Sequence, residues 1–238
     1  MTLPITIPFF TSGRAQSNAM RYFHLTADAL ISYRKLRQVA EAKYASIDPE
    51  RPFAQDLSDL LAATEDALIM PIVLGAMCIE SALYDLGACL YGDEFSARID
   101  KLDPLAKFSV IKLLVDRKSP QLGNVTLQTI RALVVARNRL VHHKSTPVDD
   151  VRIGKVFDQA RETQKVQEAG IDSSIKALVL LSLNFDGNIF EELRILPSFK
   201  NPEYWVDVVP KALHPDVHWC LDALNRQHAR RDTDPSGT

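Results

Sequence analysis

The segment Arg137-Asn138-Arg139-Leu140-Val141-His142-His143-Lys144 places phosphate-binding and proton-transfer groups side by side. Arginine carries a permanent charge on a planar fork that grips phosphate oxygens two at a time. Histidine titrates near neutral pH and so gives or takes protons where enzymes operate. Asn138 offers a side-chain donor for a phosphate oxygen or for orienting an imidazole.

The surroundings of Arg137 make it unusual. Leu127, Ile130, Val134 and Val141 follow intervals of three, four and seven, a core-facing helical stripe, and the position missing from the series is Arg137. A cation on an apolar face is expensive unless it is paired. Upstream, Glu80 is the first charge after the thirteen apolar or neutral residues Ala67–Ile79. We therefore expect Glu80 to approach Arg137 or Arg139 across the helices. A structural ion pair that fixes helix register accounts for Glu80 equally well. His142, His143 and Lys144 also form a cationic helix end, favoured by the helix dipole at about 0.3–1 kcal/mol each. Geometry adds a condition. Five helical positions rotate a side chain by about 140°, so Arg137 and His142 converge only if the helix ends near Val141. Ser145-Thr146-Pro147 supplies such an end.

This segment resembles the signature of the HEPN superfamily: an Arg, a polar residue, and a His after four to six intervening residues. Four residues separate Arg137 from His142 and five separate it from His143, so both histidines fit. Glu80, within Cys78-Ile79-Glu80-Ser81-Ala82-Leu83, is similar to the acidic helix found upstream in such domains, and Leu105–Leu114 sits where they carry a middle helix. The resemblance covers about residues 17–146. It implies a helical bundle that dimerises so that two motifs face each other in a cleft. It also implies a metal-independent endoribonuclease of toxin or defence type. RNA would be the substrate, a second copy of the chain the partner, and a protein antitoxin a further partner. Arg137, Asn138, His142 and His143 would be catalytic, Glu80 would orient the site, and Arg139 and Lys144 would contact the RNA backbone. No cofactor and no metal are implied.

The residue types suit that reaction. When the RNA 2′-hydroxyl attacks the adjacent phosphate, the protein must move protons and stabilise a phosphorane dianion, tasks for histidine and arginine. Two other readings stay open: a non-catalytic helical dimerisation module, and a module that binds a nucleotide or RNA at Arg137 and His142 without cleaving it.

Other constellations are thinner. His214 and His218 with Asp216 have the spacing of metal ligands, but Pro215 intervenes and no third ligand is identifiable. Asp149-Asp150 reads as a helix cap. Walker, GxGxxG, nucleophile-elbow and CxxC motifs are absent. Tyr204, Trp205 and Trp219 read as packing residues.

The elements that must position the motif follow from composition. With 28 Lys+Arg against 30 Asp+Glu, the chain is not a generic nucleic-acid coat. Only 9 of 238 residues are glycine, which favours helix. The expected fold is all-α: an irregular arm over residues 1–16, an up-and-down bundle over 17–146, and a mostly helical C-terminal extension over 147–238 packed on the bundle. Helices are expected from Ser17 or Asn18 to about Ala45, from Asp56 to Leu90 with a kink or break at Pro71 or Gly75, from Asp103-Pro104 to about Val115, from Asn124 to about Lys144, over 148–170, and over Asp216–Ala229. Ile175–Phe185 fits a buried helix or a strand. Cys78, Cys89 and Cys220 do not make a disulfide framework. The uncharged run ending at Ile79 is too short to span a bilayer, and the first ten residues lack a basic leader segment, so a cytoplasmic protein without a membrane anchor is expected.

Overall fold

The computed structural model describes residues 17–46, 55–117, 120, 123–142, 153–185, 193 and 195–233, with side chains for all of these but 153–157 and 230–233. The described residues form helices and no strands, an all-α fold. Expectations about residues 1–16, Asp149-Asp150, and the junction at 146–147 fall outside them.

Helix α1, Asn18–Ala45, starts where a capping residue was expected. Ser17 Oγ accepts the Ala19 amide at 3.2 Å and donates to Asp85 at 2.7 Å. Helices α2, Gln55–Ala67, and α3, Ile69–Tyr91, meet at Leu68. The break precedes both Pro71 and Gly75. Pro71 has no N–H to offer the carbonyl four residues back, that of Ala67, so the ladder stops there. Gly75 lies inside α3 because neighbours press on it. A methyl there would stand 3.2 Å from the Ser174 carbonyl, 3.4 Å from Leu133 and 3.5 Å from Thr26. Gly92 ends α3 with φ 90°, a backbone conformation suited to glycine, and its N–H reaches Ala88 O at 2.9 Å.

A short helix that the sequence reading passed over, α4 (Asp93–Ile99), follows at once. Helix α5, Pro104–Asp116, is capped by Asp103, whose Oδ1 accepts the amides of Leu105 and Ala106 at 2.9 and 3.2 Å. Helix α6, Val125–Val141, is capped by Asn124 through Thr126 N at 2.8 Å.

The largest departure is α7, Ile153–Asn184, a single helix of 32 residues. It joins the charged segment and all but the last residue of the ambiguous run Ile175–Phe185 into one rod. Residues 158–169 are largely exposed, Ala160 among them. From Gly170 to Ser182 every residue but Asp172 is buried. Burial on all sides removes the amphipathic period, which is why the run could not be told from a strand. One hydrophobic cluster includes Phe23 and Leu30 of α1, Ile79 and Leu83 of α3, Phe108 of α5, Ile130 and Leu133 of α6, and Ile175 and Ala177–Leu181 of α7. The segment after residue 147 thus supplies a central helix of the core.

Contacts set the directions. Ser17 meets Asp85 while Thr26 meets Gly75, so α1 and α3 run antiparallel. Ala136 meets Gly170 while Thr126 bonds Asn184 at 2.5 Å, so α6 and α7 do too. After the short helix α8, Pro202–Trp205, and a 3-10 turn at Lys211–Leu213, helix α9 runs from His214 to Thr233, longer at both ends than expected. It is tied to α1 by Arg34, which donates both Nη atoms to Asp216 at 2.7 and 2.9 Å, and to α6 by Gln227 Oε1, which accepts Val125 N at 2.8 Å. Gln55–Tyr91 is long and apolar enough to cross a membrane, and half of its most apolar window is buried inside the fold.

Candidate functional site

The stripe on α6 leaves the core as it approaches its end. Ile130 and Leu133 are fully buried, Val134 nearly so, the Arg137 side chain is 25% exposed, and Val141 is 57% exposed. Val141 is therefore a surface residue, not the core residue the stripe predicted. Arg137 stands at the rim, where its stem can pack while its head reaches solvent.

Across from it, on α3, stands Glu80, its side chain 37% exposed. Arg137 Nη2 donates to Glu80 Oε1, and Arg137 Nη1 donates to Asn138 Oδ1 at 3.0 Å. Of the two arginines considered, Glu80 takes Arg137. Half-buried Arg139 forms no ion pair with Glu80. Asn138 is used through its carbonyl oxygen, which accepts from the guanidinium, and not as the donor expected from its type.

The helix ends where convergence requires it. Its last residue is Val141, and His142 caps it with φ −110° and ψ 19°, its N–H donating to Asn138 O at 2.9 Å. The His142 side chain is exposed at the negative end of the helix dipole. No hydrogen bond joins Arg137 to His142 within the chain. His143 and Lys144 lie outside the described residues.

A cavity of about 980 Å³ opens nearby between α1, α2 and α7, with Tyr33, Arg37, Leu61, Ile69 and Ile171 among its walls. Of the segment Arg137–His142, Leu140 alone lines it, so the Arg137–Glu80 pair faces a different surface.

The alternative metal site does not assemble. The rings of His214 and His218 meet Trp205 edge-on at 5.0 and 5.6 Å, and His214 Nε2 lies 3.0 Å from Val209 O. Asp216 is committed to Arg34. Among the described residues no three His, Cys, Asp or Glu side chains gather as metal ligands. Trp205 is buried, as a packing residue, and its Nε1 is left without a hydrogen-bond partner. Tyr204 is 50% exposed, and Trp219 lies under Lys176 Nζ at 4.6 Å.

The Arg34–Asp216 pair had no local sign in the sequence, since its members stand 182 positions apart. Its hydrogen bond raises the Arg34 pKa, against a smaller lowering by burial. Burial pushes the thiols of Cys78 and Cys220 well above their ordinary range, so both are inert core residues, and Cys89 is half-buried.

Comparison with known protein families, with characterised proteins and with solved structures finds no match.

Proposed function

We propose that the chain is a HEPN-like, metal-independent endoribonuclease of toxin or defence type, acting on RNA in the cytoplasm at a composite site between two copies of the chain. The observation that carries this reading is the end of α6. Arg137 is held at the rim of the fold by Glu80, and the helix stops one residue before His142. The Arg/His segment is thus accessible, on a rigid element, and freed from helical geometry at the histidine.

A histidine, His142 or His143, takes the proton of a 2′-hydroxyl. The 2′-oxygen bonds to the adjacent phosphorus, and negative charge grows on the phosphoryl oxygens, where Arg137 stabilises it. The P–O5′ bond then breaks, and a second histidine, supplied by the other copy, protonates the leaving oxygen. The products carry a 2′,3′-cyclic phosphate and a 5′-hydroxyl. Arg139 and Lys144 lie on the same segment to hold backbone phosphates.

The exposed surface around the pair supports a dimer. Met77, one turn before Glu80, is 37% exposed, and Val141, one turn after Arg137, is 57% exposed. A two-fold contact through this face would cover both and bring the two motifs together. A protein antitoxin would act by covering the same face.

The closed Glu80–Arg137 pair favours a second reading, a non-catalytic helical module in which the pair fixes the packing of α3 on α6. Incubation with RNA in EDTA, beside Arg137→Ala and His142→Ala, separates the two. Cleavage lost in both folded variants supports the nuclease. Absence of cleavage, or equal cleavage by the variants, supports the module.

A further inference from the structure

The guanidinium of Arg137 is already engaged. One terminal nitrogen donates to Glu80 and the other to Asn138. A phosphate bound bidentately takes donors from that same fork. Glu80 Oε1 therefore occupies a position that a phosphoryl oxygen would take, and its negative charge would repel the incoming phosphate. The pair is half-buried, at 25% and 37% side-chain exposure, so solvent reaches it from one side. A pair that solvent reaches on one side is held less firmly than a sealed one, so a phosphate arriving from that side can displace the carboxylate. The carboxylate that holds α9 is the more sealed of the two: Asp216 is 7% exposed against 37% for Glu80, although its partner Arg34 is itself 37% exposed.

We infer that Glu80 is an autoinhibitory latch: in the resting chain it stands in for phosphate on Arg137, and the RNA backbone displaces it on binding. The inference rests on the reading of Arg137 as the phosphate-binding group. It adds that the carboxylate competes with the ligand, in addition to orienting the arginine. Glu80→Gln keeps an oxygen acceptor for the guanidinium and removes the charge. Asn138 retains its own hold on Nη1 in that variant.

The test uses binding, not cleavage. Fully 2′-O-methylated RNA lacks the attacking hydroxyl and cannot be cut. Its affinity is measured at one fixed salt concentration for the wild-type chain, Glu80→Gln and Arg137→Ala, with thermal melts to check folding. The latch predicts that Glu80→Gln binds roughly threefold to tenfold more tightly and Arg137→Ala more weakly. If Arg137→Ala weakens binding but Glu80→Gln leaves it unchanged or weakens it, the latch is wrong and the phosphate role of Arg137 survives. If neither variant changes binding, both fall. If Glu80→Gln fails to fold, the pair is structural and the latch is also overturned, a result that Glu80→Ala would reproduce.

Discussion

Ala136 and Gly170 bring α6 and α7 together so closely that a methyl on Gly170 would lie 2.2 Å from Ala136 Cβ. Real Cβ atoms do not approach that near, so only glycine fits. Ala136 precedes Arg137 directly, and this contact therefore sets how far the arginine stands from the core. The nearest other atom to that methyl would be Ile72 of α3, at 3.4 Å. Gly170→Ala must push the helices apart. Overpacking typically costs about 1–3 kcal/mol, offset by roughly 1 kcal/mol of better helix propensity. We expect a net loss of about 1–2 kcal/mol in urea unfolding. Ala136→Gly in the same chain should recover part of it through the relieved contact, and the recovery separates steric crowding from a generic helix effect.

The Arg34–Asp216 pair anchors α9 to α1. Arg34→Ala leaves the carboxylate of Asp216, 7% exposed, without its partner. Removing one partner of a buried pair costs about 3–5 kcal/mol, and because Arg34 is 37% exposed we expect roughly 2–3. Arg34→Ala with Asp216→Leu should be closer to wild type than Arg34→Ala alone. Equal instability in both would show that the lost arginine stem, not the stranded charge, matters.

Buried thiols predict a pH dependence. Cys78 and Cys220 keep their protons in the fold to well above the ordinary thiol value of 9.0. In the unfolded chain they ionise at that ordinary value. A folded pKa raised above the unfolded one gives stability that is intact below the unfolded value and falls as pH rises past it, by up to about 1.4 kcal/mol per pH unit for each thiol. Urea unfolding should therefore weaken between pH 9 and pH 10 more steeply in the wild-type chain than in Cys78→Ala/Cys220→Ala. Native protein at pH 8 should leave both thiols unmodified by an aqueous disulfide reagent, and rapid labelling of either would contradict their burial.

The proposed dimer face makes its own prediction. Val141→Glu or Met77→Glu puts a charge on an exposed apolar position beside the Glu80–Arg137 pair. Neither should change the thermal melt much, because neither residue is in the core. Both should convert the dimer to a 26.6 kDa monomer in sedimentation equilibrium. A wild-type chain that sediments as a monomer at all concentrations would remove the composite site.

Much of this was legible in the sequence, and the exceptions have physical causes. Ser17, Asp103-Pro104 and Asn124 announced helix starts because capping chemistry is local. The approach of Glu80 to Arg137 was legible because each charge interrupts an apolar face and must find a partner. Ile175–Phe185 was not, since a run covered on every side by α1, α3, α6 and α9 carries no period. The break at Leu68 was displaced from Pro71 because proline acts on the carbonyl four residues before it. The tie between Arg34 and Asp216 depends on the whole fold and leaves no local trace.

The most direct test of the central claim is the chemical nature of the ends made from RNA. Purified chain is incubated in EDTA with a defined RNA, and the fragments are weighed by mass spectrometry. The wild-type chain should yield 2′,3′-cyclic phosphate and 5′-hydroxyl ends, and Arg137→Ala or His142→Ala that melt at the wild-type temperature should yield none. No fragments from the wild-type chain, or the same fragments from either variant, would contradict it.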